Sequence, residues 1–282
     1  MKAMASVSLG RVDMDEWGLA KLAPFKSAVD ALEPGFHRID LTEATFLCPA
    51  ACAFLVAVQK EAQRRGVLLQ IDRSTCSEAL DRHLEVSSLL PGKRTSRTTI
   101  PIEHFRHEGP EVGHYLSRSW VSQLRGLSIA ATEYVLFAVG EIFVNAFQHS
   151  GSSVGVVSCG QYYGKSNELH LTVVDIGVGI PATVAVFYGR REEELDGGKA
   201  IHWAFQAGHT SVPATSRGHG LAILSRFIER NDGALKVYSG RAYAQVIGTP
   251  LHRQLTWRFP GTALDIIIRG VRVVPRSKED LF

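Results

Sequence analysis

A mostly apolar stretch, TEYVLFAVGEIFVNAFQHS, carries Glu141, Asn145 and His149 at a spacing of four. A carboxylate can hold or take a proton, an amide oxygen can ligate a hard cation, and an imidazole can do either. At 3.6 residues per turn the three positions drift slowly along one side of a helix. Buried without partners, such groups cost several kcal/mol, roughly the penalty for unpaired polar atoms. That face is therefore expected to meet a polar network, a metal or a ligand.

Downstream, LHLTVVDIGVGIP (169–181) carries a strand into Asp175, then Gly177, Gly179 and Pro181. A carboxylate accepts hydrogen bonds only and suits a donor such as the exocyclic amino group of a base. The glycines allow backbone conformations and close approaches denied to other residues. A dinucleotide fingerprint would add a third glycine and an immediate helix within a βαβ unit, and neither is evident. In SRGHGLAIL (216–224), Arg217, Gly218 and Gly220 lead into a helix whose free N–H groups suit phosphate oxygens. FPGTALDIII brings Gly261-Thr262 into a late strand. GQYYGKS (160–166) falls one residue short of a phosphate-binding loop and runs into a strand, so a hairpin turn is expected at Gly164-Lys165-Ser166.

The elements that must position these residues fall into two groups. The first is expected to be a small α/β unit over residues 1–90. It has a helix over MDEWGLAKLAPFKSAVDAL, a strand at HRIDL and a helix over PAACAFLVAVQKEAQRRG. A buried parallel strand at VLLQI and a helix at SEALDRHLEVSSLL complete it. A polar stretch over 91–103 is expected as a linker or extended arm. The second group, residues 104–275, holds helical segments around EVGHYLSRSWVSQL, the long helix ending at His149, and a hairpin-like strand pair. It continues with a long polar segment over 189–217, a helix over GLAILSRFIERNDG and three late strands, leaving a short tail at 276–282. Length and composition agree with two domains of a globular protein: 282 residues, 45% hydrophobic and 21% charged.

A net charge of +3 lacks the concentrated basic face of a nucleic-acid binder, so no direct nucleic-acid contact is expected. The longest apolar run, AACAFLVAV, is far below the ~18 residues of a membrane span. No apolar segment of signal-peptide length opens the chain, and a cytoplasmic location away from membranes is expected. Cys48, Cys52, Cys76 and Cys159 form no metal-binding spacing and are expected as buried thiols. His104 and His107 have no matching second pair for zinc.

Over about residues 5–90 the order of strand, FLCPAACAFL helix, RRG, apolar strand and helix ending in LL resembles the STAS fold of anti-anti-sigma factors. In those members a serine in an Asp-Ser-Ser-Gly turn accepts a phosphoryl group. This chain has Cys48-Pro49-Ala50-Ala51 there, which implies a scaffold or docking surface instead. Residues 104–270 resemble the GHKL superfamily of ATP-binding domains. The ordered set is the Asn-bearing helix, Asp-x-Gly-x-Gly, Gly-x-Gly-Leu after a long loop, and Gly-Thr in a late strand. That resemblance implies a two-layer α/β sandwich with a mixed sheet and helices on one face, binding ATP and Mg²⁺.

By the same resemblance, Asn145 supplies its amide oxygen to Mg²⁺ and Glu141 activates a water or hydroxyl. Asp175 and Thr262 recognise adenine, and Gly177 and Gly179 let the backbone pass near the base. Arg217, Gly218 and Gly220 serve the phosphates. The 189–217 segment is expected as a mobile lid, with IHWAF as a short helix and Lys199, His209 and His219 in lesser roles. His149 is adequately explained as a C-terminal helix cap. The implied activity is that of a serine/threonine protein kinase or an ATPase in intracellular signalling. The alternative is a non-catalytic, nucleotide-gated module that sequesters a protein. The implied partner is a protein, of the STAS-domain or sigma-factor-like class, and a homodimer is compatible with the family.

Overall fold

The computed structural model describes residues 4–92, 96, 98–123, 129–206, 228–229, 232–247 and 251–269. At the coarse level the protein is mixed α/β, with a three-stranded parallel sheet, a five-stranded antiparallel sheet, and helices around both. Among the described residues no helix is long and apolar enough to cross a membrane.

The first sheet has the order β1 (Ser6–Ser8), β2 (Gly35–Asp40), β3 (Val67–Ile71), with both pairings parallel. The helix expected over MDEWGLAKLAPFKSAVDAL is two: α1 (Glu16–Ala20) and α2 (Leu22–Asp30). Asp15 caps α1 by accepting from Gly18 N at 2.7 Å. The restart at Leu22 places Pro24 in the first turn of α2, where its missing N–H costs no helical bond. α3 (Pro49–Arg64) likewise begins with proline, and Gly66, at φ +77°, turns the chain out of it. Ser77 caps α4 (Glu78–Val86).

The second sheet runs β4 (Thr99–Phe105), β5 (Val156–Tyr163), β6 (Glu168–Asp175), β8 (Leu251–Arg269), β7 (Ala234–Ile247). β4 takes up part of the polar stretch expected as a linker or arm and pairs with β5. All four pairings are antiparallel, which corrects the expectation of a mixed sheet. The cause is local. β5 and β6 form a hairpin through Gly164-Lys165-Ser166, and β8 runs against both β6 and β7.

Helices of the later part of the chain lie on one face of this sheet, and helices of the N-terminal unit lie on the other. On one face α6 (Ile129–His149) packs Val135, Ala138, Val139, Ile142 and Phe143 over Val156, Leu171, Val173 and Leu264. α5 (Pro110–Tyr115) and a π-helical stretch, Leu116–Trp120, add Tyr115 and the fully buried Trp120 to that core. On the other face α2 and α3 join the first sheet and the second in one core with Val157, Cys159, Val174, Phe259 and Ala263. Phe54 of α3 meets Phe259 of β8 at 5.6 Å between ring centroids, and Cys159 Sγ donates to the Pro49 carbonyl at 3.2 Å. The buried Ala50, Ala51, Ala53 and Ala57 leave α3 slim enough to lie between two sheets. Bare, the second face would present those apolar side chains to water, and covering it is the hydrophobic return on the arrangement.

Candidate functional site

The polar residues of α6 stand at its rim. Asn145 is exposed, and Glu141 and His149 are half-buried, so the expectation of a buried polar face is corrected. The apolar positions take the sheet side, and the four-residue spacing carries Glu141 and Asn145 along the edge of that stripe. Glu141 lines a groove of about 380 Å³ between α5 and α6, with Glu108, Gly113, Leu116, Phe137 and Phe147. Burial lowers the pKa of His149 below its ordinary value and so favours the neutral ring at the end of α6. The His149 carbonyl accepts from Thr183 Oγ1 at 3.1 Å.

The end of α6 is tied to the turn after β6. Val178 N donates to the Ser150 carbonyl at 2.7 Å. Asp175, at the end of β6 and only 3% exposed, accepts from Gly177 N through Oδ1 at 2.9 Å. Gly177 passes so close to the helix end that a Cβ there would lie 1.9 Å from the Ser150 carbonyl oxygen. Gly179 has φ +90° and opens α7 (Ile180–Phe187), which starts immediately and carries Pro181 in its first turn. The sequence had left that helix unseen. A dinucleotide-type βαβ unit is still excluded, because both neighbours of β6 are antiparallel to it.

Asp175 lies opposite Thr262 of β8, and Thr262 lies opposite Ser239 of β7. All three are buried. Burial raises the Asp175 carboxyl from its ordinary 3.8 to about 7, against hydrogen bonds from Gly177 and Thr262 that favour the ionised form. Ser239 Oγ accepts from Ile180 N at 2.8 Å, contacts Thr262 Oγ1 at 2.9 Å and reaches the Gly261 carbonyl at 3.2 Å. The site thus offers a desolvated carboxylate beside two hydroxyls, at a turn where glycine brings the backbone close. Such a set can read the hydrogen-bonding edge of a planar polar ligand.

The structure therefore gathers Asp175, Gly177, Gly179 and Thr262 into one place and hangs α6, with Glu141 and Asn145, from the same turn. Arg217, Gly218 and Gly220 lie outside the described residues, as do His209 and His219. Of the segment expected as a lid, α8 (Gly197–Ala204) contains most of IHWAF and is capped by Asp196, which accepts from Lys199 N at 3.0 Å. The Lys199 side chain is 74% exposed. Arg258 of β8 links this segment to the turn. Its Nη1 meets both oxygens of Glu192 at 2.9 and 3.0 Å, and its Nη2 donates to the Val178 carbonyl at 3.2 Å.

Ser239, Ser150 and Arg258 were not singled out in the sequence. The one available signal was the Ser-Gly pair inside the strand ALKVYSG, where a polar residue and a glycine interrupt an apolar run. Among the described residues no three His, Cys, Asp or Glu side chains form a metal-holding group. Cys48, Cys52 and Cys159 are buried, with burial pushing their thiols up, and Cys76 is half-buried. His104 Nε2 donates to the Val154 carbonyl at 2.6 Å. No protein-family model matches the chain, and no curated protein matches it.

Proposed function

We propose that the chain is a Mg-ATP-binding regulatory protein of the GHKL type, a serine/threonine protein kinase or ATPase of cytoplasmic signalling. Its N-terminal unit would be STAS-like. The observation that carries the proposal is the buried Asp175 carboxyl beside Thr262, facing a turn built on Gly177 and Gly179. A desolvated acceptor of this kind suits the amino edge of adenine, and the polar groups present therefore fit the nucleotide at its base end. Asp175 and Thr262 would hold that edge, Asn145 would give its amide oxygen to Mg²⁺, and Arg217, Gly218 and Gly220 would serve the phosphates. Bound Mg-ATP supplies a transferable γ-phosphoryl group. Glu141 would take the proton of the attacking water or hydroxyl.

The first turn of α3, where a related domain would carry a phospho-acceptor, has no hydroxyl and is buried against β5. The N-terminal unit then acts as scaffold, and the phosphorylated or sequestered protein is a separate partner of the STAS-domain or sigma-factor-like class. A homodimer is compatible with this proposal. The place of Glu141 in the α5–α6 groove favours a second reading, a non-catalytic module in which nucleotide gates the capture of a protein.

Following the γ-phosphate of labelled Mg-ATP separates these outcomes. Free phosphate released by the protein alone and lost in Glu141→Ala identifies an ATPase. Label carried to a second protein in a Glu141-dependent manner identifies a kinase. Nucleotide bound but unchanged identifies the binding module.

A further inference from the structure

Asp175, Thr262 and Ser239 stand in register on three adjacent strands, β6, β8 and β7, on one face of the sheet. Each hydroxyl has one hydrogen to give and two lone pairs to receive with. One Ser239 lone pair is taken by Ile180 N–H at 2.8 Å, the first N–H of a helix whose own N-cap residue, Gly179, has no side chain to offer. The Ser239 hydrogen then has two destinations, the Gly261 carbonyl at 3.2 Å or Thr262 Oγ1 at 2.9 Å. Given to Gly261, it obliges Thr262 to donate back to Ser239 and to face ionised Asp175 with lone pairs against lone pairs. Given to Thr262, the shorter contact, it frees the Thr262 hydrogen for Asp175 and satisfies every group in the row. Above about pH 7, where Asp175 is ionised, the direction then runs from Ile180 N–H through Ser239 and Thr262 to Asp175.

We infer that Ser239 is a specificity-determining positioning residue, which commits the Thr262 hydroxyl to Asp175 so that the site presents acceptors only. This rests on the nucleotide site proposed above. Such a site takes a purine bearing an exocyclic amino group and repels one bearing a carbonyl at the same position. Without Ser239, the Thr262 hydroxyl is free to turn and donate to that carbonyl. Gly179 belongs to the same device, since a Cβ there would lie 3.1 Å from Ser239 Oγ.

The test compares binding, at pH 8, of Mg-ATP and Mg-inosine triphosphate, which differ at position 6 and in the hydrogen that the carbonyl form carries on N1, to the full chain and to Ser239→Ala. The wild type is expected to favour ATP by about 100-fold or more, and Ser239→Ala to shrink that ratio by about tenfold. A ratio is chosen because general damage to the site weakens both nucleotides alike. If Ser239→Ala does not fold, Ser239→Cys, which keeps the shape and weakens the donor, is expected to shrink the ratio in the same sense. An unchanged ratio in a folded variant overturns the role of Ser239 and leaves the nucleotide site standing. Binding of neither nucleotide by the wild type removes the site itself, and this role with it.

Discussion

At the scale of single residues, the Asp175 carboxyl links stability to ligand binding through pH. Its pKa is raised by burial to about 7, against about 4 in an unfolded chain. Between those values the folded protein holds a proton that the unfolded chain has released. The contribution to stability is therefore complete below about pH 4 and is lost as pH rises through about 7. Urea midpoints of wild type minus Asp175→Asn should fall across that window, and a flat difference would contradict the burial argument. His170, raised by Asp265 and Glu168 in spite of its burial, changes stability in the same sense, and the subtraction removes it. Affinity for Mg-ATP should run the other way, rising through pH 7 as Asp175 ionises. The place of Asp175, ending a strand at a glycine turn, was legible because a lone carboxylate closing an apolar run before two glycines stands out in the sequence. The burial of α6 was misread at Glu141 and Asn145, because periodicity gives an angle around the helix and not what stands beside it. Ser239 was marked only as a polar break in an apolar strand, and a serine within a strand carries no sign of the neighbour it will face.

At the scale of elements, the glycines divide into those that are necessary and those that are not. Gly177→Ala drives a methyl into the Ser150 carbonyl, and Gly261→Ala, at φ +123°, drives one to 2.1 Å from the Asp175 carbonyl oxygen. Each should cost roughly 2–4 kcal/mol of unfolding free energy, read from urea denaturation. Gly140, inside α6, has open space where a Cβ would stand. Gly140→Ala should instead stabilise by roughly 0.5–1 kcal/mol. Equal effects at the three positions would argue against the packing described. β8 shows why punctuation in a sequence misleads. Pro260-Gly261 reads as the break between two strands, yet β8 runs unbroken through it. Ser239 pairs with Thr262 and Gly240 with Phe259, so the proline and glycine fill a bulge where no ladder N–H is needed.

At the scale of the whole molecule, α3 belongs to both sheets, and the two parts of the chain share one core. Phe54→Ala empties a site between them and should cost about 3–5 kcal/mol. It should shift the unfolding of Trp120, in the α6-side core, together with that of the first sheet, and two separate transitions would contradict the shared core. β2, α3 and α4 of the N-terminal unit were legible from their apolar patterns, whereas β1 was not, α1 and α2 read as one helix, and β3, expected to be buried, is an edge strand that exposes Leu68. That α3 would be covered on both sides was not, since an alanine-rich helix reads the same against one sheet or between two. Equilibrium dialysis of labelled Mg-ATP against wild type and Asp175→Asn reads directly what the Asp175 turn binds. Saturable binding of about one nucleotide per chain, lost in Asp175→Asn with the fold intact, is the predicted result. Equal binding by both proteins, or none by the wild type, would contradict it.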